Sequence, residues 1–234
     1  MHERTRLGRR VFELETSYEV LLPPRYDEGR RYPLVVGLHG MGQDESHLKR
    51  DLAPLLERDY LWLFPRGPYP LEVRGKDSMR VGHAWYMFDG NQERLAASME
   101  LTARHLLGII DTLWNSFRID LSRAVVLGYS QGGYMAGVLG ANNPMRFRGA
   151  CSIAGRLKHE FMTGVAAKAG ARVALAQVHG GQDASVRADA ARQAVEACRA
   201  LGFVRAEYFE DPRAGHEITP PMAAFVGQWL ERIL

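Results

Sequence analysis

Val125-Val126-Leu127-Gly128-Tyr129-Ser130-Gln131-Gly132-Gly133 is an apolar, β-branched run that ends in Gly-x-Ser-x-Gly, and the small-residue stretch Tyr134-Met135-Ala136-Gly137-Val138-Leu139 follows with helical character. Strand, tight turn and helix in that order form the setting that lifts a serine hydroxyl above the end of a sheet. Such a turn is strained, and a Cβ two residues to either side of the serine would strike the neighbouring strand or helix. Glycines at 128 and 132 remove those atoms. The pentapeptide alone is common by chance; its position between a buried strand and a helix makes Ser130 a candidate nucleophile.

A serine hydroxyl needs a base within hydrogen-bond reach, and the base needs a carboxylate to fix its tautomer. Downstream, Val173-Ala174-Leu175-Ala176-Gln177-Val178-His179-Gly180-Gly181-Gln182-Asp183 is a second buried-strand pattern closed by glycines and an acid. Ala206 to Glu210 reads as a short strand followed by Asp211-Pro212-Arg213-Ala214-Gly215-His216. Asp183 is expected to be the acid and His216 the base. Asp189 falls inside a predicted helix, and Glu210 and Asp211 lie close before His216, whereas Asp183 ends a strand. His39 and His179 also end strands ahead of glycines and read as structural histidines.

The 234 residues, 46% hydrophobic and 24% charged, fit one domain spanning 1–234 with a substantial core. A net charge of +3 is spread over scattered arginines, without the basic, aromatic-interleaved runs of a nucleic-acid binder. The N-terminal residues carry charge without an apolar segment behind them, and no apolar run is long enough to span a bilayer. Two cysteines, Cys151 and Cys198, make no disulfide framework and suggest a cytoplasmic location. His, Cys and acidic residues show no metal-ligand spacing, so neither metal nor cofactor is expected.

Strand and helix patterns alternate along the chain. Val11–Leu22 is expected as an edge strand or hairpin, 34–38 as a buried strand, 45–58 as a helix and 60–64 as a strand. A long amphipathic helix is expected over 94–117, a strand over 149–154, and helices over 186–201 and 221–233; between Gly155 and Arg172 there is room for one helix and no large cap. Alternation of this kind implies an α/β fold, with a mostly parallel, doubly wound sheet and helices on both faces. Reactive groups should gather at the carboxyl ends of its strands, where Ser130, Asp183 and His216 all fall. Leu38-His39-Gly40-Met41-Gly42, after the first buried strand, offers a turned-in Met41 amide; with the Gln131 amide it would make an oxyanion hole.

Four segments, Leu38–Gly42, Gly128–Gly133, His179–Asp183 and Gly215-His216-Glu217-Ile218, together resemble the phospholipase/carboxylesterase family of α/β-hydrolases, which includes small bacterial carboxylesterases and acyl-protein thioesterases. The resemblance runs from about residue 32 to the end. It implies Ser130 as nucleophile, Asp183 as acid, His216 as base and Met41 and Gln131 as oxyanion donors, acting on a small ester or thioester. The expected activity is serine carboxylesterase on short- to medium-chain esters. Lysophospholipase or acyl-protein thioesterase is the alternative, with a peptidase or a non-catalytic binding protein behind it; a homodimer is an open option.

The chain departs from the thioesterase pattern between Pro65 and Gln92, a stretch without a clear period that is expected to form a lid or pocket wall. Within it Trp85, Met87 and Phe88 are candidate substrate-pocket residues, with packing under the loop as the other reading of this aromatic patch. Arg66, just after a strand end, is either a partner for an anion or one half of a salt bridge.

Overall fold

The computed structural model describes residues 13–162 and 172–234. Seven strands form the central sheet: β1 (Tyr18–Leu21), β2 (Tyr32–Leu38), β3 (Leu61–Pro65), β6 (Ile119–Tyr129), β7 (Gly149–Ile153), β8 (Ala174–Gly180) and β9 (Ala206–Asp211). Their spatial order is β1-β3-β2-β6-β7-β8-β9. Only β1 pairs antiparallel, at the edge; the remaining pairs are parallel. The helices are α1 (Glu45–Asp51), α2 (Gln92–Ser116), α3 (Gln131–Asn142), α4 (Ala188–Ala200) and α5 (Pro220–Ile233).

Parallel strands covered on both faces read as continuous apolar runs, and β2, β3, β7 and β8 are buried at every position. Successive side chains still part to opposite faces. Leu34, Val36 and Leu38 of β2 join Val126 under α2, α3 and α4. Val35, with Val125 and Leu127 of β6, packs instead with α1 and α5 through Leu48, Val226 and Trp229. The doubly wound sheet expected from the sequence is therefore built on two cores.

Three segments differ from expectation. The helix expected over 45–58 stops at Asp51 and continues as a 3-10 turn over Ala53–Leu55, because Pro54 has no N–H for an α-helical ladder. Of the first expected strand only Tyr18–Leu21 pairs, and residues 1–12 lie outside the described ones. The helix allotted between Gly155 and Arg172 likewise falls mostly on undescribed residues 163–171, preceded by a 3-10 turn at His159–Phe161. The 65–92 stretch is not a loop. It carries an antiparallel hairpin, β4 (Tyr69–Arg74) with β5 (Met79–Ala84), forming a separate two-stranded sheet. No helix among the described residues is long and apolar enough to cross a membrane.

The β6–α3 turn is as tight as the motif requires. Ser130 sits at φ 52°, ψ −117°, a conformation a serine adopts only under constraint from its surroundings. A Cβ on Gly128 would come within 2.2 Å of the Gly132 carbonyl oxygen, and one on Gly132 within 2.2 Å of the Leu38 carbonyl oxygen at the end of β2. The end of β2 is held in turn by His39, which is fully buried. Its Nδ1 lies 2.7 Å from the Gly40 carbonyl oxygen, and its Nε2 accepts the Gly67 N–H at 3.0 Å. Burial lowers its pKa to about 4, and a proton on Nε2 would face the Gly67 donor head-on.

Gly132→Ala should destabilise the protein by about 3 kcal/mol or more, lowering Tm by roughly 6–12 °C. Gly108→Ala, on α2 with nothing within 4 Å of the added methyl, should instead add about 0.5–1 kcal/mol. The lowered His39 pKa carries a second expectation. Between the folded value near 4 and the ordinary histidine value of 6.5, the unfolded chain binds the proton and the folded chain does not, so stability rises with pH across that window. The His39 contribution lost on acidification through it is about 3 kcal/mol. Thermal melts from pH 7 to pH 4 should accordingly show a shallower pH dependence for His39→Gln than for the wild type.

Candidate active site

Three loops at the carboxyl ends of β6, β8 and β9 bring Ser130, Asp183 and His216 together. His216 Nε2 lies 2.9 Å from Ser130 Oγ, and its Nδ1 lies 2.7 Å from Asp183 Oδ2. Asp183 is buried. Its Oδ1 accepts the Ser185 and Val186 amides at 2.8 and 2.9 Å, leaving Oδ2 for the imidazole. Burial alone would raise the carboxyl pKa, but the Val186 amide, His216 and the Ser185 amide hold it below the ordinary aspartate value. The acid is thus an anion aimed at the ring, with Nδ1–H the tautomer it favours. The competing acids are engaged elsewhere: Asp189 with Arg187, Glu210 with Tyr208 and Arg192, and Asp211 with Thr219.

His216 is steadied by a neighbour that motif reading passed over. Tyr129, the residue before the serine, sets its ring 5.3 Å from the imidazole and donates its hydroxyl to the His216 carbonyl at 2.7 Å. Burial, followed by the Asp183 charge, raises the Tyr129 phenol to about 12, so it remains a donor. His179 is buried behind Asp183; its Nε2 donates to the Val186 carbonyl at 2.7 Å and lies 3.5 Å from Asp183 Oδ2, tightening the turn that carries Asp183.

Across the cleft, residues 39–43 form a turn braced by the β4–β5 hairpin. The Gly42 amide donates to the His83 carbonyl at 2.8 Å, and the His83 amide to the Gln43 carbonyl at 3.0 Å. Arg80 Nη1 donates to the Gly42 carbonyl at 2.6 Å, and Gln43 Oε1 accepts the Gly40 amide at 2.8 Å. Among the described residues the amides of Met41 and Gln131 form no hydrogen bond, and both residues line the same cleft as Ser130. Two free N–H groups on braced turns, beside a hydroxyl paired with an imidazole, can stabilise negative charge developing on a substrate oxygen.

The cleft has a volume of about 690 Å³. Met87 and Phe88 lie on its rim, more than half exposed, as does Met41. Trp85 does not belong with them. It is wholly buried, its indole N–H donates to the His39 carbonyl at 2.7 Å, and its amide donates to Gln131 Oε1 at 2.9 Å. The chain turns inward where β5 ends, burying both Ala84 and Trp85, so this ring is a prop beneath the turn of residues 39–43, and the packing reading replaces the pocket reading at this position. Arg66 is the salt-bridge half, forking onto Glu45 with Nε 2.9 Å from Oε2. Tyr86, in the same aromatic patch, does line the cleft; the sequence reading missed Gln92, Leu95, Met99, Tyr134, Arg156, Lys158 and Ser185, which complete its wall. Leu95 and Met99 had a signal, since their i, i+4 spacing puts both on one face of α2.

No curated protein matches the chain. Solved structures share its fold. Esterase PE8 is 22% identical, with a TM-score of 0.73 over 94% of this chain and 100% of that one. An acyl-protein thioesterase 2 of Zea mays is 19% identical, with a TM-score of 0.71 over 93% and 99%. The carboxylesterase of Bacillus cereus is 16% identical, with a TM-score of 0.66 over 94% and 95%. The sequence model for phospholipases and carboxylesterases matches residues 26–234, almost the whole of the described fold, and the chain belongs to that family of α/β-hydrolases.

Proposed function

We propose that the protein is a serine carboxylesterase for short- to medium-chain esters, working through Ser130, His216 and Asp183. The observation that carries this reading is the continuous chain from Ser130 Oγ through the His216 ring to Asp183 Oδ2, with links of 2.9 and 2.7 Å. His216 Nε2 takes the hydroxyl proton as Ser130 Oγ bonds to the ester carbonyl carbon. The carbonyl π electrons move to oxygen, where the Met41 and Gln131 amides receive the charge; together such donors contribute several kcal/mol. Collapse breaks the bond to the alcohol oxygen, which leaves with the proton held by His216. Water enters with His216 again as base, and the acid departs as Ser130 Oγ regains its proton.

An open cleft with an apolar rim of Met41, Met87 and Phe88 supports modest acyl groups as substrates. Both cysteines are free and buried, which suits the cytoplasmic location read from the sequence.

Hydrolysis of p-nitrophenyl esters from acetate to palmitate should be fastest at short to medium chains and vanish in Ser130→Ala, with a fluorophosphonate labelling the wild type alone. A preference for the longest chains would move the reading to lysophospholipase or thioesterase. Asp183→Asn should lower kcat by roughly four orders of magnitude, because the ring loses the acceptor that fixes its tautomer; near wild-type turnover would assign the acid elsewhere.

A further inference from the structure

One end of the cleft is charged. Arg156 and Lys158 both line it, and among the described lining residues none is a carboxylate. The two cations follow β7, either side of Leu157, which is wholly buried. Gln177 locks this stretch: its Oε1 accepts the Leu157 amide at 3.1 Å and its Nε2 donates to the Gly155 carbonyl at 3.0 Å. The cations are thus presented by rigid backbone rather than by a free loop.

Both side chains are unusually covered, at 18% exposure for Arg156 and 12% for Lys158. Lysine and arginine are seldom buried to this extent unless paired. Here one carboxylate serves both. Glu160, 41% exposed on the outer side, accepts the Arg156 fork at 2.9 and 3.3 Å. Lys158 Nζ stays 3.6 Å from Glu160, beyond hydrogen-bond distance, and its one hydrogen bond among the described residues goes to the neutral Gln92 Oε1 at 3.2 Å. His159 Nδ1 competes for the same carboxylate at 3.5 Å. Residues 163–171, outside the described ones, contain no Asp or Glu and one lysine, Lys168, in their sequence. Among the described residues, two cations and one anion leave a single positive charge at the wall.

We propose that this end of the cleft binds a carboxylate on the substrate, so that the preferred ester carries an anionic group besides its scissile bond. The inference rests on the esterase reading and names its substrate class. A surplus of one charge matches a carboxylate, whereas a phosphate monoester would bring about −1.5 to −2. Arginine offers the forked donors a carboxylate takes up, and lysine a point charge beside them. Tyr134 lies one turn along α3 from Ser130, with its ring 6.0 Å from the Arg156 guanidinium, and so bridges the nucleophile and the cationic end. A cleft of about 690 Å³ admits both ends of one small molecule.

The test compares kcat/KM for p-nitrophenyl pentanoate with that for the p-nitrophenyl monoester of glutaric acid, whose acyl chain ends in a carboxylate. A second pair, phenyl butyrate and 4-(butyryloxy)benzoate, puts the carboxylate on the leaving group. Comparing each variant with the wild type cancels the intrinsic reactivities. Arg156→Gln should lower the anionic-to-neutral ratio at least tenfold in one pair, mainly through KM, and that pair identifies the side of the ester that carries the charge. Glu160→Gln, which removes the internal competitor, should raise the same ratio several-fold. A merely structural Arg156–Glu160 pair would move the ratio in the same direction in both variants, or in neither, and would overturn the assignment. Turnover of neutral esters with no response of the anionic ones to either variant would overturn it while leaving the esterase standing. No turnover of any of the four esters by folded protein would overturn both.

Discussion

The site depends on one close approach: the start of α3 lies against the end of β2 with no room for a methyl group between them. Gly132 meets the Leu38 and His39 carbonyls, and Gly128 meets Gly132 itself. That contact forces Ser130 into a backbone conformation that costs on the order of 1–3 kcal/mol for a residue with a side chain. Two parallel strands hydrogen-bonded from Tyr32 to Leu38 and a helix packed over them supply the stabilisation that offsets it. The same contact sets the oxyanion turn, since residues 39–43 begin where β2 ends. Ser130 and the free amides of Met41 and Gln131 are therefore fixed relative to each other first of all by sheet packing.

The Gln131 side chain is a further tie. Its carbonyl accepts the Trp85 amide and its amide donates to the Tyr86 carbonyl. Trp85 in turn reaches the His39 carbonyl, and Thr102 on α2 donates to the Trp85 carbonyl at 2.6 Å. A circuit of hydrogen bonds thus runs from the elbow, through the segment after β5, to the oxyanion turn. Buried networks of this kind are rigid when every member is paired.

How much of this was legible in the sequence depended on the range of the forces involved. The strand–turn–helix around Ser130 is local, dictated by glycine sterics within nine residues, and it reads directly. The order of Ser130, Asp183 and His216 reads because each lies just after a strand of the sheet, and parallel sheets collect strand ends at one edge. The hairpin over 69–84 did leave a trace, the alternation of Leu71 and Val73 about the turn at Gly75 to Ser78. It was hidden because its outward residues, Met79 and Val81, are apolar and exposed, which blurs the period. Trp85 could not be assigned locally at all. Whether an aromatic lines a pocket or props a turn is decided by contacts 46 residues away, with His39 and Gln131. The cationic pair was unreadable for the same reason, since Arg156 and Ser130 share a cleft only after β6 and β7 pair.

The hairpin has its own sheet, and the bonds that brace residues 39–43 come from one strand of it, at Arg80 and His83. Its base is tied to the turn of residues 39–43, while its tip, Gly75 to Ser78, is exposed and pairs only across its own turn. Such a piece carries two levels of structural constraint. The tip is free to lengthen, shorten or change charge without touching the cleft, whereas each substitution at the base reaches the turn of residues 39–43. Diversity among relatives of this chain should thus gather at the far end of the hairpin, leaving the near end to vary only as the oxyanion turn varies with it.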